Sequence, residues 1–208
     1  MNTASRVARP APRLVAVYAD ESCLGNGREG DNPGGAGGLI EILHRRELVR
    51  HDYWLSEPAT TNNRMALRSA IEALRLLSTK GRSCRVVFVS DSQYLVKGNT
   101  DWIYGWVRRG WRRSGGALGN EALWRELAEA RRPHEVDWRW VRGHVGHPQN
   151  EYANHLATRA AAEQTQSRGA VPSAFDAWLA TEREAGRMAV APDPFPEPST
   201  FRPAPPLP

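Results

Sequence analysis

Two apolar runs along the chain predict strands that are buried on both faces. Residues 14–18 and 85–89 are rich in valine, and continuous apolar runs of this length are typical of strands inside a sheet. Between them, residues 34–43 and 47–55 flank a short polar turn and predict an antiparallel hairpin beside the first strand. The first 90 residues therefore predict four strands.

One helix is predicted before the fourth strand. Five apolar residues fall at the spacing of a single helix face: Leu67, Ala70, Ile71, Leu74 and Leu77. Thr60 or Thr61 is the predicted N-cap, and Gly81 is the predicted stop.

The second half of the chain contains shorter elements. Three short helical stretches are predicted at residues 92–98, 101–109 and 120–132, and the alternating residues 135–141 predict the last strand. A final helix is predicted from near Asn150 toward Glu163. Strands and helices in this order predict an α/β domain, with a mixed sheet flanked by helices.

The composition changes beyond residue 164. Residues 173–189 predict one more helix, and eight of the fifteen prolines lie from Pro192 onward. So many prolines favour an extended tail at residues 190–208 that does not pack. Its last seven residues resemble a docking peptide for a protein partner, although a merely solubilising tail is the alternative. We expect a disordered arm at 1–12, a folded domain at 13–165 and an extension at 166–208.

The overall charge favours an anionic polymer as the partner. The 208 residues carry a net charge of +5, and Lys80 and Lys97 are the only lysines among 28 basic residues. Arginine forks suit phosphate oxygens, which indicates nucleic acid. Two cysteines cannot form a disulfide framework, and no apolar run is long enough for a membrane span. We expect a soluble, cytoplasmic monomer.

Two aspartates stand at the ends of predicted neighbouring strands. Asp20 follows the first valine-rich run and Asp91 follows the second. Carboxylates that converge in a low dielectric repel each other, and a divalent cation between them relieves that repulsion. The alternative is that each aspartate only ends a strand and caps a turn.

Four ordered motifs carry a family resemblance. They read DESCLGN at residues 20–26, TTNNRMA at 60–66, SDSQY at 90–94 and GHVGHPQNE at 143–151. In this order and at these separations, the chain resembles bacterial type 1 ribonuclease H over about residues 13–163. The resemblance implies a ribonuclease H-like fold with a five-stranded mixed sheet and a basic helical protrusion. It also implies Mg²⁺ or Mn²⁺ as cofactor, with one or two ions, and cleavage of the RNA strand of RNA/DNA hybrids.

The resemblance also exposes two departures among the metal-binding positions. The family uses four carboxylates, and here Asp20 and Asp91 remain while Ala66 and Asn154 occupy the other two positions. Asn154 keeps an oxygen that can coordinate a metal, whereas Ala66 has none. Glu151 shares a helix face with Asn154 and is the predicted substitute ligand.

Glu21 is expected to point away from the site, because successive strand residues face opposite sides. It stands where the family has glycine, so its carboxylate is expected to crowd the nucleic-acid backbone. Together with Ala66 and Asn154, this residue predicts reduced or altered cleavage.

Further positions acquire roles through the resemblance. His144 resembles a general acid or base beside the leaving group. Two groups of residues are predicted to bind nucleic acid. The first matches binding positions of the family and consists of Cys23, Asn26, Thr61, Asn62, Asn63, Gln93 and Asn120. The second is a block of interleaved tryptophan and arginine, with Trp102, Trp106, Arg108, Arg109, Arg112 and Arg113.

Three functional hypotheses stay open at this point. The first is an endonuclease that cuts the RNA strand of hybrids with reduced or altered activity. The second is a catalytically inactive module that binds hybrids. The third is that Ala66 and Asn154 are engineered substitutions, against which Glu21 argues because it is an unusual residue to introduce.

Overall fold

The computed structural model describes residues 12–25, 32–113 and 115–208. The predicted arm, apart from Pro12, and the predicted binding residue Asn26 lie outside these ranges. Six strands form one sheet in the order β5-β4-β1-β2-β3-β6. They are β1 Arg13–Cys23, β2 Gly34–His44, β3 Glu47–Glu57, β4 Cys84–Ser90, β5 Glu135–Trp140 and β6 Val171–Pro172.

The helices lie on both faces of the sheet. They are α1 Asn62–Leu77, α2 Gln93–Lys97, α3 Ile103–Arg108, α4 Glu121–Arg131, α5 Pro148–Glu163 and α6 Phe175–Glu184, and a π-helical turn at Gly98–Trp102 joins α2 to α3. Thr61 is the N-cap of α1, and its side chain accepts a hydrogen bond from the Arg64 backbone N–H. The predicted α/β class and the mixed sheet flanked by helices are confirmed. The strand count was wrong by one.

The sixth strand comes from the C-terminal extension. β6 pairs antiparallel with the outer edge of β3, where Asp52 faces Val171 and His51 faces Pro172. A proline is tolerated there because an edge strand does not need every backbone donor.

The alternation of β1 divides the core into two layers. Val15, Val17 and Ala19 pack with α1, whereas Ala16 and Tyr18 pack with α5 and α6. Because side chains in a strand alternate between faces, Asp20 follows the α5 side and Glu21 the α1 side.

Two glycines of β2 bring α5 very close to the sheet. A Cβ atom added at Gly35 would lie 2.2 Å from the Ala157 carbonyl oxygen, and one at Gly37 would lie 2.5 Å from Leu156 Cβ. These positions therefore accept only glycine without a shift of the helix. The close contact fixes the first turn of α5 beside the end of β1.

The C-terminal extension packs against the domain, so the prediction of an unpacked tail was wrong. Phe201 is buried beneath the Arg85 guanidinium, 4.3 Å from the ring centre. The Ala204 backbone N–H donates to Val136 O, and the Tyr104 hydroxyl donates to Pro205 O. Proline removes donors but leaves carbonyl acceptors, so a proline-rich segment can dock through its carbonyls and one apolar anchor.

The predicted helix at 173–189 is shorter than expected and spans Phe175–Glu184. Its residues Phe175 and Leu179 are buried against the α5 side of the sheet. Within the described ranges, each helix is too short or too polar to cross a bilayer.

Candidate active site

The carboxyl ends of four strands lie along the same end of the sheet. β1, β4 and β5 are parallel, and β3 runs in the same direction because β2 is antiparallel to both β1 and β3. The motifs at 20–26 and 90–94 begin at the ends of β1 and β4, and the motifs at 60–66 and 143–151 follow β3 and β5. In α/β sheets, this end is where ligands usually bind.

Asp20 is held by two donors at the end of β1. It is only 5% exposed, its Oδ1 accepts from the Glu21 backbone N–H at 2.7 Å, and its Oδ2 accepts from Asn150 Nδ2 at 2.8 Å. The second contact connects β1 to the first turn of α5. A buried carboxylate with both oxygens engaged has a fixed orientation.

Asp91 reaches the same point from the end of β4. Ligand oxygens of Asp20, Glu21 and Asp91 all lie within 4.8 Å of one another. The structure therefore brings together the two aspartates that the sequence singled out, and it adds Glu21.

The expectation that Glu21 points away from the site was wrong. Alternation does place Glu21 on the α1 side, opposite the face that carries Asp20. However, the site lies at the end of the sheet, where groups from both faces meet. Ala66 lies buried on α1 on this same side of the sheet, so Glu21 and the α1 position that lacks a carboxylate share one face.

Burial and mutual repulsion favour the protonated forms of these carboxyls. Burial, followed by the neighbouring Asp91 carboxylate, raises the pKa of Asp20 to about 8. Burial and then Asp20 raise the pKa of Glu21, and a hydrogen bond with the Ser92 side chain opposes this rise. Burial also raises the pKa of Asp91, against the attraction of nearby His144. A cluster of this kind is suited to exchange protons for a cation.

Sequence reasoning missed Asn150 as a site residue. It is almost fully buried, and while its Nδ2 binds Asp20, its Oδ1 has no hydrogen-bond partner among the described residues. It lies within the motif at 143–151, which is the signal that could have found it. Its contact with Asp20 spans 130 residues and depends on the docking of α5.

Gly143 was also missed, although it stands beside His144. A Cβ atom at Gly143 would lie 2.1 Å from Asp91 Oδ2. A larger residue at position 143 would therefore require the Asp91 side chain or this loop to shift.

The other predicted catalytic or metal-binding residues differ in their contacts. His144 is exposed, has a left-handed backbone with φ 54°, and is near enough to lower the pKa of Asp91. Glu151 Oε1 accepts from the Gly146 backbone N–H at 3.2 Å, so this side chain closes the loop around His144. Asn154 lies half-buried one turn after Asn150, with its Oδ1 3.5 Å from the Thr158 hydroxyl. The ligand roles of Glu151 and Asn154 stay predictions.

Several predicted nucleic-acid-binding residues surround the same end of the sheet. Cys23 ends β1, Asn62 and Asn63 begin α1 after the cap Thr61, and Gln93 begins α2. Asn120 precedes α4 in a left-handed conformation and donates from Nδ2 to the Tyr94 hydroxyl at 3.3 Å. Their contacts with nucleic acid stay predictions.

The tryptophan and arginine block divides into a core part and a surface part. Trp106 is 8% exposed and packs edge-on against Trp124, whereas Trp102 is 39% exposed. All four arginines are exposed: Arg108, Arg109, Arg112 and Arg113. The exposed arginines of this block therefore form a positively charged surface next to packed indole rings.

Known proteins match both the sequence and this arrangement. The RNase H family model matches residues 12–162. A ribonuclease H from Pelobacter propionicus is 45% identical over 169 residues, which cover 80% of this chain and 95% of that protein. The chain belongs to the ribonuclease H family.

Two solved ribonuclease H structures extend the comparison. LC9-RNase H1, described as a type 1 RNase H with the type 2 active-site motif, is 56% identical and has a TM-score of 0.89. The match covers 97% of this chain and 96% of that chain, so it includes most of the C-terminal extension. LC11-RNase H1 in complex with RNA/DNA hybrid is 17% identical, covers 72% of this chain and 98% of that chain, and shares the fold with a TM-score of 0.51.

The resemblance to type 1 ribonuclease H drawn from the four motifs is confirmed by these matches. The family match ends at residue 162, immediately before the end of α5. β6, α6 and the proline-rich tail therefore lie outside the part that defines the family.

Proposed function

We propose that this ribonuclease H uses a divalent metal ion to cut the RNA strand of RNA/DNA hybrids, with Glu21 supplying the carboxylate that Ala66 cannot. The observation that carries the proposal is the cluster of Asp20, Glu21 and Asp91, whose ligand oxygens lie within 4.8 Å of one another. The expectation of reduced activity counted two carboxylates. With Glu21 the site has three, so we expect cleavage to survive.

The donor set fits a hard divalent cation. Mg²⁺ and Mn²⁺ prefer carboxylate and amide oxygens. The raised pKa values of Asp20 and Glu21 follow from burial and then from the negative charge of the neighbouring carboxylates. Asn150 Oδ1 is a further buried acceptor without a partner among the residues described. Asp20, Glu21 and Asp91 would hold the ion, and Asn154 is the proposed fourth ligand.

The bound metal would supply an activated water and would stabilise the charge on the leaving oxygen. The residues of the chain prepare the site for this chemistry. Asn150 and the Glu21 backbone N–H orient Asp20, and Ser92 contacts Glu21. His144, on an exposed loop next to Asp91, is positioned to transfer a proton at the leaving group.

The surroundings of the site support a hybrid as the substrate. Exposed arginines on the α3 side suit the phosphates of one strand, and the amide side chains at the starts of α1 and α2 suit the sugars and base edges of the other. The RNA/DNA hybrid bound to LC11-RNase H1, which shares this fold, supports the same assignment.

The test is cleavage of a labelled RNA/DNA hybrid by the full chain and by Glu21→Gln, with Mg²⁺ and with Mn²⁺. Because the variant removes one charged ligand, we expect it to lose at least about 100-fold in rate while it still binds the hybrid. Glu163→Gln, an exposed change at the end of α5, is the matched control and should cleave normally.

Two outcomes would contradict the proposal. Glu21→Gln cleaving at the rate of the unaltered chain would remove Glu21 from the site. An unaltered chain that binds hybrid but cleaves it with neither metal would instead make the protein a hybrid-binding module.

A further inference from the structure

The C-terminal extension contacts the start of α5, beside the candidate active site, through Asp193. Asp193 Oδ2 lies 2.9 Å from His147 Nε2, immediately before the first turn of α5. We propose that Asp193, outside the family match, is a positioning residue for this active site and that it acts by selecting the tautomer of His147. The proposal rests on the function proposed above, since the site it positions is the carboxylate cluster.

The backbone of Asp193 is fixed by a fully buried side chain. Gln149 Nε2 donates to Asp193 O at 2.9 Å, and the Asp193 backbone N–H donates to Gln149 Oε1 at 3.1 Å. Gln149 is 0% exposed, so its side-chain amide forms hydrogen bonds with the Asp193 backbone instead of with water. An exposed hydrogen bond between two side chains normally contributes little to stability, because both flexible side chains must be ordered. Here the anchored backbone has already ordered one of them.

The contacts of His147 assign its tautomer. Nδ1 accepts a hydrogen bond from the Asn150 backbone N–H at 3.3 Å and serves as the N-cap of α5. A nitrogen that accepts from an N–H carries no proton, so the ring proton is on Nε2. Nε2–H then donates to the Asp193 carboxylate, which favours this tautomer over the other.

The cap connects this pair to the metal-binding cluster. Asn150, whose backbone N–H is capped by His147, donates from its side chain to Asp20 Oδ2 at 2.8 Å. Histidine is an uncommon N-cap, since Ser, Thr, Asp and Asn need no particular tautomer to accept. His147 caps the helix only when Nδ1 is free of its proton, and Asp193 enforces that state.

Loss of the Asp193 carboxylate would release the second tautomer. With the proton on Nδ1, the ring would place a donor against the Asn150 N–H, and the first turn of α5 would lose its cap. Asn150 would then hold Asp20 less firmly. Orienting groups of this kind affect metal affinity even though they do not touch the ion.

The test uses Asp193→Ala, with Asp193→Asn as the conservative variant and Glu197→Ala as the matched control in the same tail. The ¹⁵N shifts of the His147 ring, assigned by their loss in His147→Gln, report the tautomer. We expect the Nε2–H form in the unaltered chain, a mixture in Asp193→Ala and recovery in Asp193→Asn, whose amide oxygen still accepts. Half-maximal binding should require about threefold to tenfold more Mg²⁺ in Asp193→Ala alone, as followed by thermal unfolding.

The outcomes separate this proposal from the proposed function. An Nδ1–H tautomer in the unaltered chain, or a tautomer shift in Asp193→Ala without any change in Mg²⁺ binding, would overturn the positioning role. Equal losses in Asp193→Ala and Asp193→Asn would also overturn it, because they would show that charge rather than tautomer matters. If the tautomer and Mg²⁺ results hold but no hybrid is cut, the function fails and the positioning role stands.

Discussion

Gly143 shows how tightly the residues around the carboxylate cluster are packed. The loop after β5 passes so close to Asp91 that a Cβ atom at this position would lie 2.1 Å from Oδ2. The obstructing atom belongs to a metal-binding candidate, so relief of the clash would displace Asp91 from the cluster.

Gly143→Ala should therefore reduce hybrid cleavage strongly and lower the stability of the fold only moderately. We expect hybrid cleavage to fall at least about tenfold, and the free energy of unfolding to fall by about 1–3 kcal/mol, as is typical of overpacking. Gly119→Ala is the matched control, because a Cβ atom there meets nothing within 4 Å. Unchanged cleavage by Gly143→Ala, measured beside this control, would show that the loop can move away from Asp91 at no cost.

Asp20 predicts how stability depends on pH. Its pKa is about 8 in the folded chain and 3.8 in an unperturbed aspartate, first because of burial and then because of Asp91. At a pH between these two pKa values, the Asp20 carboxyl is ionised in the unfolded chain and protonated in the folded chain. The contribution of Asp20 to stability is therefore complete below about pH 4 and is lost as the pH rises to about 8.

The measurement is the free energy of unfolding, without metal, of the chain and of Asp20→Asn from pH 4 to pH 9. As the pH rises, the unaltered chain should lose stability relative to Asp20→Asn, and the loss in its free energy of unfolding should be on the order of a few kcal/mol. Added Mg²⁺ should reverse the trend, because the ion binds the ionised cluster. A difference that is the same at every pH would contradict the raised pKa.

At this scale, the sequence identified only part of the site. Asp20 and Asp91 could be found because each follows a buried run inside a family motif. Glu21 was misjudged because alternation gives the face of a residue but not whether the site extends around the end of the sheet. Asn150 could be found only through the motif at 143–151, since its partner Asp20 is 130 residues away.

Among the secondary-structure elements, the packing of α5 against β2 sets the geometry of the site. Helix α5 lies directly on Gly35 and Gly37, and its first turn carries Asn150 and Glu151. A side chain at either of these two glycines would hold the helix away from the sheet. The distance from Asn150 to Asp20 would increase with it.

Gly37→Ala tests this coupling. Its Cβ atom would lie 2.5 Å from Leu156 Cβ and 2.7 Å from the Ala153 carbonyl oxygen. We expect a loss of about 1–3 kcal/mol in the free energy of unfolding, measured by chemical denaturation, together with weaker Mg²⁺ binding. Gly105→Ala in α3 is the control, because the atoms nearest its Cβ belong to the flexible Arg109 side chain. Equal stability of the two variants would argue against tight packing of α5.

Most elements could be predicted from periodicity, because each of them buries one face against the same core. The strands β1 to β5 and the helix α1 follow the apolar pattern directly. β6 could not be predicted, because two residues carry no periodicity and their pairing depends on the exposed edge of β3.

At the scale of the whole molecule, the C-terminal extension is part of the folded body. Phe201 docks beneath Arg85 on one side, and Asp193 reaches the start of α5 on another. Composition alone suggested a free tail, because proline content reports the loss of backbone donors and not the acceptors that remain. The net charge of +5, by contrast, favours an anionic partner and agrees with the nucleic-acid substrate proposed above.

The measurement that tests the central claim most directly is a crystal structure of the full chain with Mn²⁺, in which anomalous scattering locates the ion. We expect Mn²⁺ between the carboxylates of Asp20, Glu21 and Asp91, with Glu21 as a direct ligand and Ala66 remote from the ion. An ion bound by Asp20 and Asp91 while the Glu21 side chain turns away would contradict it.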